Sequence, residues 1–148
     1  MSEIVIENMT ERHIADTALI EQKSFSVPWS ENALREELLN PNACFLAAVR
    51  CGKTVGYVGS YSVCGECYIT NIAVLPEYRK RGIGEKLLSA LIDICINENS
   101  AFLTLEVRKS NLPAISLYEK LGFECVGERK DFYEMPTENA LLYTKFFR

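Results

Sequence analysis

The sequence predicts an α/β (α+β) fold, a single domain with a mixed, mostly antiparallel sheet of about seven strands and helices on both faces. Runs in which apolar and polar residues alternate are interleaved along the chain with runs of helical period. At 148 residues, 48% hydrophobic and 24% charged, the chain suits one domain with a sizeable core. No linker or repeat divides the sequence, so residues 1–148 are expected to fold as one unit.

The chain begins with a predicted strand at residues 4–6 and continues into two helices. Thr10 is placed to cap the first helix and Ser30 the second, which is expected over residues 31–39. In each case an apolar residue before the cap can pack against one inside the helix as a hydrophobic staple. The two staple pairs are Met9 with Ile14 and Trp29 with Leu34.

An antiparallel meander of three strands follows, because short glycine-containing turns at Gly52 and Gly65 separate the apolar runs. A helix is predicted next over residues 84–97, with its apolar side chains on one face, so it should pack flat on the sheet. The three strands cover residues 43–50, 54–63 and 67–75.

The last third of the chain is expected to complete the sheet. A strand at residues 101–108 leads to a helix that Asn111 caps and Gly122 ends. Two closing strands follow, at residues 123–133 and 139–147. The predicted order of elements is therefore β-α-α-β-β-β-α-β-α-β-β.

Charge and apolar content exclude several classes of protein. A net charge of -4 and a pI near 5.1 argue against a nucleic-acid partner, which would favour a basic face. No apolar run approaches the roughly 20 residues that cross a bilayer, and the N-terminus lacks the pattern of a secretory signal, so no membrane partner is expected. The expected location is the cytoplasm, where reduced cysteines pack as small hydrophobic groups.

Cys64 and Cys67 have the one Cys-x-x-Cys spacing in the sequence. A structural zinc site would need a second ligand pair, and the sequence contains a single histidine, His13. We therefore predict a tight hairpin turn that carries two thiols, with a metal or redox site as the alternative. His13 follows the helix cap Thr10 by three residues and is expected to be an exposed helix residue.

The turn before the third helix has the composition of a phosphate site. The first N–H groups of a helix lack intrahelical partners and attract anions, and glycine lets a ligand approach the backbone. Glu85 stands where a nucleotide-hydrolase P-loop needs lysine, and the turn lies too deep in the chain for a dinucleotide fingerprint. A solvated basic turn is the alternative. The residues are Arg79, Lys80, Arg81, Gly82, Ile83 and Gly84.

Three separated segments resemble the GCN5-related N-acetyltransferase (GNAT) family. Residues 70–84, which end in Arg79-x-x-Gly82-x-Gly84, resemble its acetyl-CoA signature. Residues 105–123 and residues 25–30 resemble the RimI-type branch of the family. Together with the order of elements, the resemblance covers essentially the whole chain.

The resemblance implies an acetyl-CoA-dependent N-acetyltransferase that needs no metal. In the RimI-type branch the acceptor is a protein N-terminus, the N-terminal alanine of ribosomal protein S18. The resemblance implies Glu106 as the base for the attacking amine and Tyr118 as the proton donor to the sulfur of coenzyme A. It also implies a set of acetyl-CoA-binding residues, namely Ile72, Ala73, Val74, Arg79, Lys80, Arg81, Gly82, Ile83, Gly84 and Asn111.

Each of these residues also has a purely structural interpretation. Glu106 could be a strand-end carboxylate paired with Arg108 or another cation, and Tyr118 could be a half-buried packing residue. On the acceptor side we nominate Trp29, Tyr133 and Glu21, which could instead serve as a staple, a strand end and a surface helix residue.

Two other functions stay open at this point. A member of the same superfamily could acetylate a small amine or an internal lysine, because the acceptor site rather than the fold decides the substrate. A non-catalytic acyl-CoA-binding module would need neither Glu106 nor Tyr118, which argues against it. The sequence does not indicate an oligomeric state.

Overall fold

A computed structural model describes residues 3–147. Within that range seven strands form one sheet in the order β1-β2-β3-β4-β5-β7-β6, antiparallel except between β4 and β5. The strands are β1 (Val5–Asn8), β2 (Ala43–Arg50), β3 (Lys53–Val63), β4 (Glu66–Val74), β5 (Phe102–Arg108), β6 (Glu124–Tyr133) and β7 (Glu138–Phe146). The helices are α1 (Glu11–Ser24), α2 (Glu31–Leu38), α3 (Ile83–Asn97) and α4 (Leu112–Lys120), with a short 3₁₀ turn at Pro76–Tyr78.

The predicted fold class and element order are confirmed, with boundaries that shift by one or two residues. Both hairpin turns of the meander contain two residues, Cys51-Gly52 and Cys64-Gly65, and all four have positive φ. Two consecutive positive φ angles define the turn whose twist matches that of paired strands. The Cys-x-x-Cys segment is thus a tight hairpin, as predicted, with Cys64 exposed at the turn and Cys67 buried.

Helices cover both faces of the sheet, as two adjacent residues of β3 show. The hydroxyl of Tyr57 donates a hydrogen bond to Glu21 of α1. On the opposite face a Cβ atom at Gly56 would lie 3.3 Å from Ile83 of α3. Since successive side chains of a strand point to opposite faces, α1 and α3 lie on opposite sides of the sheet. Helix α4 lies on the α3 side, where its Leu117 would lie 3.4 Å from a Cβ atom at Gly84.

The prediction that His13 is an exposed helix residue is wrong. Its side chain is only 2% exposed because it closes the N-terminus of α1. Nδ1 accepts a hydrogen bond from the backbone N–H of Thr10 at 2.9 Å, and Nε2 lies 2.9 Å from the carboxylate of Glu7. The imidazole therefore satisfies a helix-end donor, the role that glutamate or glutamine usually has at this position.

Strands β4 and β5 separate soon after they begin. They pair in parallel through residues 66–68 and 102–104, after which β5 continues with β7 along its other edge as far as Arg108. A register shift between β3 and β4 leaves Thr70 as an extra residue in β4, and such bulges bend a strand. The divergence opens a gap through the middle of the sheet. None of the helices within residues 3–147 is long and apolar enough to cross a membrane.

Candidate active site

A cavity of about 670 Å³ lies in the gap between β4 and β5. Within the described chain, residues 69–74 of β4 have no strand partner on the side that faces this gap. Backbone N–H and C=O groups on that side are available to an extended ligand, as at a sheet edge. The cavity is lined by residues 24–27, Trp29, residues 69–72, residues 105–108, Asn111, Tyr118 and residues 132–136.

Glu106 enters the cavity from β5. Its neighbours Leu105 and Val107 are buried on the opposite face, which confirms the predicted alternation. The side chain is 32% exposed, and one carboxylate oxygen lies 3.4 Å from Nε of Arg129 on β6. The carboxylate thus has a cationic partner, as the structural interpretation expects, and it also lines the cavity, while its role as a base stays a prediction. Arg108, the partner considered first, contacts Glu138 instead.

Tyr118 reaches the same cavity from α4, on the other face of the sheet. Its ring is buried against Phe123 and Tyr143, with ring centroids 5.8 and 6.3 Å away. Burial raises the pKa of the Tyr118 phenol, and the negative charge of an ionised Tyr133 would raise it further. The phenol therefore keeps its proton at neutral pH, as a proton donor must. The packing role considered for this tyrosine is real and does not exclude the chemical one.

Tyr133 lies at the end of β6 and lines the cavity. Burial first, and then the charge of Glu106, raise the pKa of the Tyr133 phenol to about 12. The guanidinium of Arg108 lies 4.5 Å from the centre of its ring. The charge of Glu106 thus acts on the Tyr133 phenol, and an ionised Tyr133 would in turn act on the Tyr118 phenol.

Trp29 and Glu21 have different positions relative to the cavity. Trp29 lines it and packs against Phe45 with ring centroids 6.2 Å apart. Glu21 is fully buried behind the wall, where its carboxylate accepts hydrogen bonds from the Trp29 backbone N–H, the Tyr57 hydroxyl and the Asn71 side chain. Burial raises the pKa of Glu21, and these donors oppose the shift. Glu21 is thus not on the cavity lining, but it contacts Trp29 and Asn71, which are.

The glycine-bearing turn leads into α3 as predicted. Gly82 is the N-cap with φ of 80°, a left-handed conformation that favours glycine. Arg79 holds the turn in place, because its Nε donates to the carbonyl of Val74 at 3.0 Å and its guanidinium lies 3.4 Å from the hydroxyl of Ser24. The guanidinium of Arg81 lies 5.5 Å from the ring centre of Tyr78, and both it and Lys80 are exposed. Two cations therefore stay available to an anion at the N-terminus of α3.

The remaining predicted cofactor residues lie along the gap or at its end. Ile72 lines the cavity, and Ala73 and Val74 continue the strand toward the turn. Ala73 is buried in the core, so its side chain is not available for binding. Asn111 caps α4 through its side-chain oxygen, which accepts from Ala114 N–H at 3.3 Å, and it also lines the cavity. The roles of these residues in binding coenzyme A stay predictions.

The sequence interpretation did not identify several residues of this site. Arg129 reaches Glu106 across β7, and Thr70 and Asn71 line the gap beside the bulge. Such contacts depend on strand order and register, which the periodicity of one sequence does not specify. Arg108 lies two residues after Glu106 in β5, so strand alternation places the two side chains on the same face of the sheet. This spacing is the sequence signal from which Arg108 could have been identified.

Comparisons with known proteins agree with this geometry. The model of the acetyltransferase (GNAT) family matches residues 14–123. A Bacillus subtilis (strain 168) protein provisionally named ribosomal protein bS18-alanine N-acetyltransferase is 39% identical over 138 residues, 93% of this chain and 91% of its own. The ribosomal protein bS18-alanine N-acetyltransferase of Escherichia coli (strain K12) is 38% identical over 118 residues, 77% of this chain and 76% of its own.

The three-dimensional likeness extends over nearly the whole chain. The crystal structure of the ribosomal-protein-S18-alanine N-acetyltransferase from Escherichia coli superimposes with a TM-score of 0.90 at 31% identity, covering 97% of this chain and 94% of that one. On these grounds the chain belongs to the acetyltransferase (GNAT) family and is an acetyl-CoA-dependent N-acetyltransferase.

Proposed function

We propose that this enzyme acetylates the N-terminal α-amino group of a protein, with the N-terminal alanine of ribosomal protein bS18 as its acceptor. One observation carries the chemical part of the proposal. Glu106 and Tyr118 come from opposite faces of the sheet and line the same cavity, where the two strands diverge. A base and an acid that approach one point from two sides suit a transfer between an amine and a thioester.

Acetyl-CoA supplies the acetyl group as a thioester. The acetyl and pantetheine part would lie along the free side of β4, between residues 69–74 and β5, and the pyrophosphate would meet the N-terminus of α3. The observation that supports this placement is the gap itself, whose β4 side presents backbone groups without a strand partner in the described chain. Lys80 and Arg81 would supply positive charge to the pyrophosphate.

The acceptor amine would enter from the other end, between residues 24–29 and 132–136. A free α-amino group has an ordinary pKa of about 7.7 to 8.0, so a large part of it is protonated at neutral pH. Glu106 would accept the proton that the amine loses, directly or through a water molecule. Tyr118 would donate a proton to the departing sulfur, since its buried phenol is neutral.

The acceptor assignment rests on the relatives. The Escherichia coli protein named above, at 38% identity, is named for the alanine of bS18. The walls that would hold such an N-terminus, with Trp29 on one side and Tyr133 on the other, lie within the aligned fold. An N-acetyltransferase for small amines or internal lysines is the alternative, and the following experiment separates the two.

The purified enzyme is incubated with acetyl-CoA and three kinds of acceptor, and the products are identified by mass. The acceptors are a peptide beginning Ala-Arg, as a bS18-type N-terminus, the same peptide with a blocked N-terminus and an internal lysine, and a polyamine. We expect acetylation of the free N-terminus alone. Acetylation of the lysine peptide or the polyamine with the free N-terminus left unmodified would contradict the proposal.

A further inference from the structure

One side chain holds the connection between β6 and β7 in place. Nη2 of Arg108 donates to the carbonyl of Glu134 at 2.9 Å, and Nη1 donates to the carbonyl of Pro136 at 2.8 Å. Both carbonyls belong to residues that line the acceptor end of the cavity. Charge-assisted hydrogen bonds of this kind are about twice as strong as neutral ones.

Arg108 is itself fixed from the other side. Nη1 lies 3.3 Å from Oε1 of Glu138, at the start of β7. The second carboxylate oxygen of Glu138 accepts the backbone N–H of Ser110 at 2.6 Å. Hydrogen bonds from Ser110 and the charge of Arg108 lower the pKa of Glu138, so this carboxylate is ionised at neutral pH. The guanidinium is thus anchored to the end of β5 and the beginning of β7 at once.

The flat face of the guanidinium has a third contact. Its central carbon lies 4.5 Å from the centre of the Tyr133 ring. Tyr133 is the residue whose phenol is coupled to both Glu106 and Tyr118. One stacked contact and two carbonyl contacts thus join Arg108 to the loop and to the Tyr133 ring.

We propose that Arg108 is a positioning residue, which holds residues 133–136 as a rigid wall and thereby sets the affinity for the acceptor N-terminus. This inference rests on the proposed function. Lysine could not replace it, because a single ammonium cannot donate to two carbonyls in a fixed fork and stack on a ring at the same time. Acetyl-CoA binding should not depend on Arg108, since none of residues 79–84 is among the cavity-lining residues to which the loop belongs.

The test compares R108Q, R108K and the control K109Q in steady-state kinetics with the Ala-Arg peptide. Lys109 follows Arg108 in the chain and pairs with Glu128 at 3.0 Å, but it does not line the cavity. We expect R108Q and R108K to raise the acceptor KM about ten-fold or more while kcat falls less and the dissociation constant of acetyl-CoA stays within about two-fold. K109Q should match the wild type.

A merely structural role would give a different pattern. If Arg108 only stabilised the fold, its loss would weaken acetyl-CoA binding and acceptor binding together. An unchanged acceptor KM in R108Q, a loss shared equally with acetyl-CoA affinity, or full rescue by R108K would each overturn the proposal. E138Q removes the anchor and should act in the same direction, and the double variant R108Q/E138Q should be no worse than R108Q alone, because both act through one contact.

A second measurement needs no substrate and keeps this inference separate from the proposed function. Chymotrypsin cuts after aromatic residues, and Phe132 and Tyr133 lie at the edge of the loop. We compare R108Q with K109Q at the same interval below the melting temperature of each. We expect faster cleavage at these sites in R108Q, since local opening of the loop controls the rate. Equal cleavage rates would overturn the positioning role of Arg108, whereas failure of the wild type to acetylate any N-terminus would overturn only the proposed function.

Discussion

The two ends of the cavity are built in different ways. The end proposed for acetyl-CoA comes from one continuous stretch, residues 69–84, in which a strand, a glycine-bearing turn and a helix start follow each other. The end proposed for the acceptor comes from residues 24–29 and 132–136, more than 100 residues apart in the chain and brought together by the sheet. The first end offers mainly backbone groups and the second mainly side chains.

This difference has a consequence for function. Backbone groups on a strand and at a helix N-terminus bind the same ligand whatever the nearby side chains are, so the acetyl-CoA end suits a substrate shared by a whole family. Side chains held by distant contacts, such as those of Arg108, can change one at a time. Substitutions should therefore affect acetyl-CoA binding, acceptor binding and chemistry separately, and each of the following variants tests one of these three.

The largest effect is expected at the base. We predict that E106Q lowers kcat about 100-fold or more and leaves the dissociation constant of acetyl-CoA unchanged, because only proton acceptance is lost. Glu124, an exposed carboxylate at the start of β6 outside the cavity, provides the control E124Q. Activity of E106Q equal to that of the wild type across about pH 6 to 9 would remove Glu106 from this role.

A smaller loss is expected at the acid. Burial raises the pKa of Tyr118, and a group with a raised pKa loses its proton only at a higher pH. The donor form is then fully present below the ordinary tyrosine pKa of about 10, so kcat should show no alkaline decline due to this group up to that pH. We predict that Y118F lowers kcat about ten-fold throughout this range.

The matched control for Y118F is Y143F. Tyr143 packs against the Tyr118 ring, but its hydroxyl donates to Glu119 at 2.9 Å and it does not line the cavity. Y143F should retain wild-type kcat. If kcat declines at alkaline pH in the wild type and declines in the same way in Y118F, the decline belongs to another group. A Y118F enzyme as active as Y143F would show that the buried phenol only packs.

The smallest effect is expected at the basic turn. We predict that R81A weakens acetyl-CoA binding about three-fold at low salt and less at high salt, because an exposed cation acts through a screened charge. The acceptor KM should not change. R35A, which removes a partly exposed cation on α2 paired with Glu11 and Glu31, is the control. An acetyl-CoA affinity of R81A that equals that of R35A would count against the turn as the phosphate site.

The same difference explains which parts of the molecule the sequence could predict. The fold class, the element order and the turn at residues 79–84 follow from local periodicity, caps and glycines. His13 was predicted wrongly because its burial depends on Glu7, a residue of another element. Glu21 could not be placed behind the cavity wall, since its partners Tyr57 and Asn71 reach it from two strands.

The acceptor end was the least predictable part of the site. The contacts of Arg108 join the end of β5 to a loop about 26 residues further along, and the pairing of Glu106 with Arg129 crosses an intervening strand. Residue type alone did not distinguish these arginines from solvent-exposed cations. Only the strand order, with β7 between β5 and β6, brings Arg108 to its loop and Arg129 to Glu106.

Hydrogen exchange of the wild-type enzyme tests most directly whether acetyl-CoA and the acceptor bind at different ends of the cavity. The enzyme is measured alone, with coenzyme A, and with coenzyme A plus the Ala-Arg peptide, so that no turnover occurs. We predict that coenzyme A protects amides in residues 69–74 and 82–86, and that the peptide adds protection at residues 24–29 and 132–136. Protection by coenzyme A confined to the α1–α2 and β6–β7 loops, or added protection by the peptide outside them, would contradict the account.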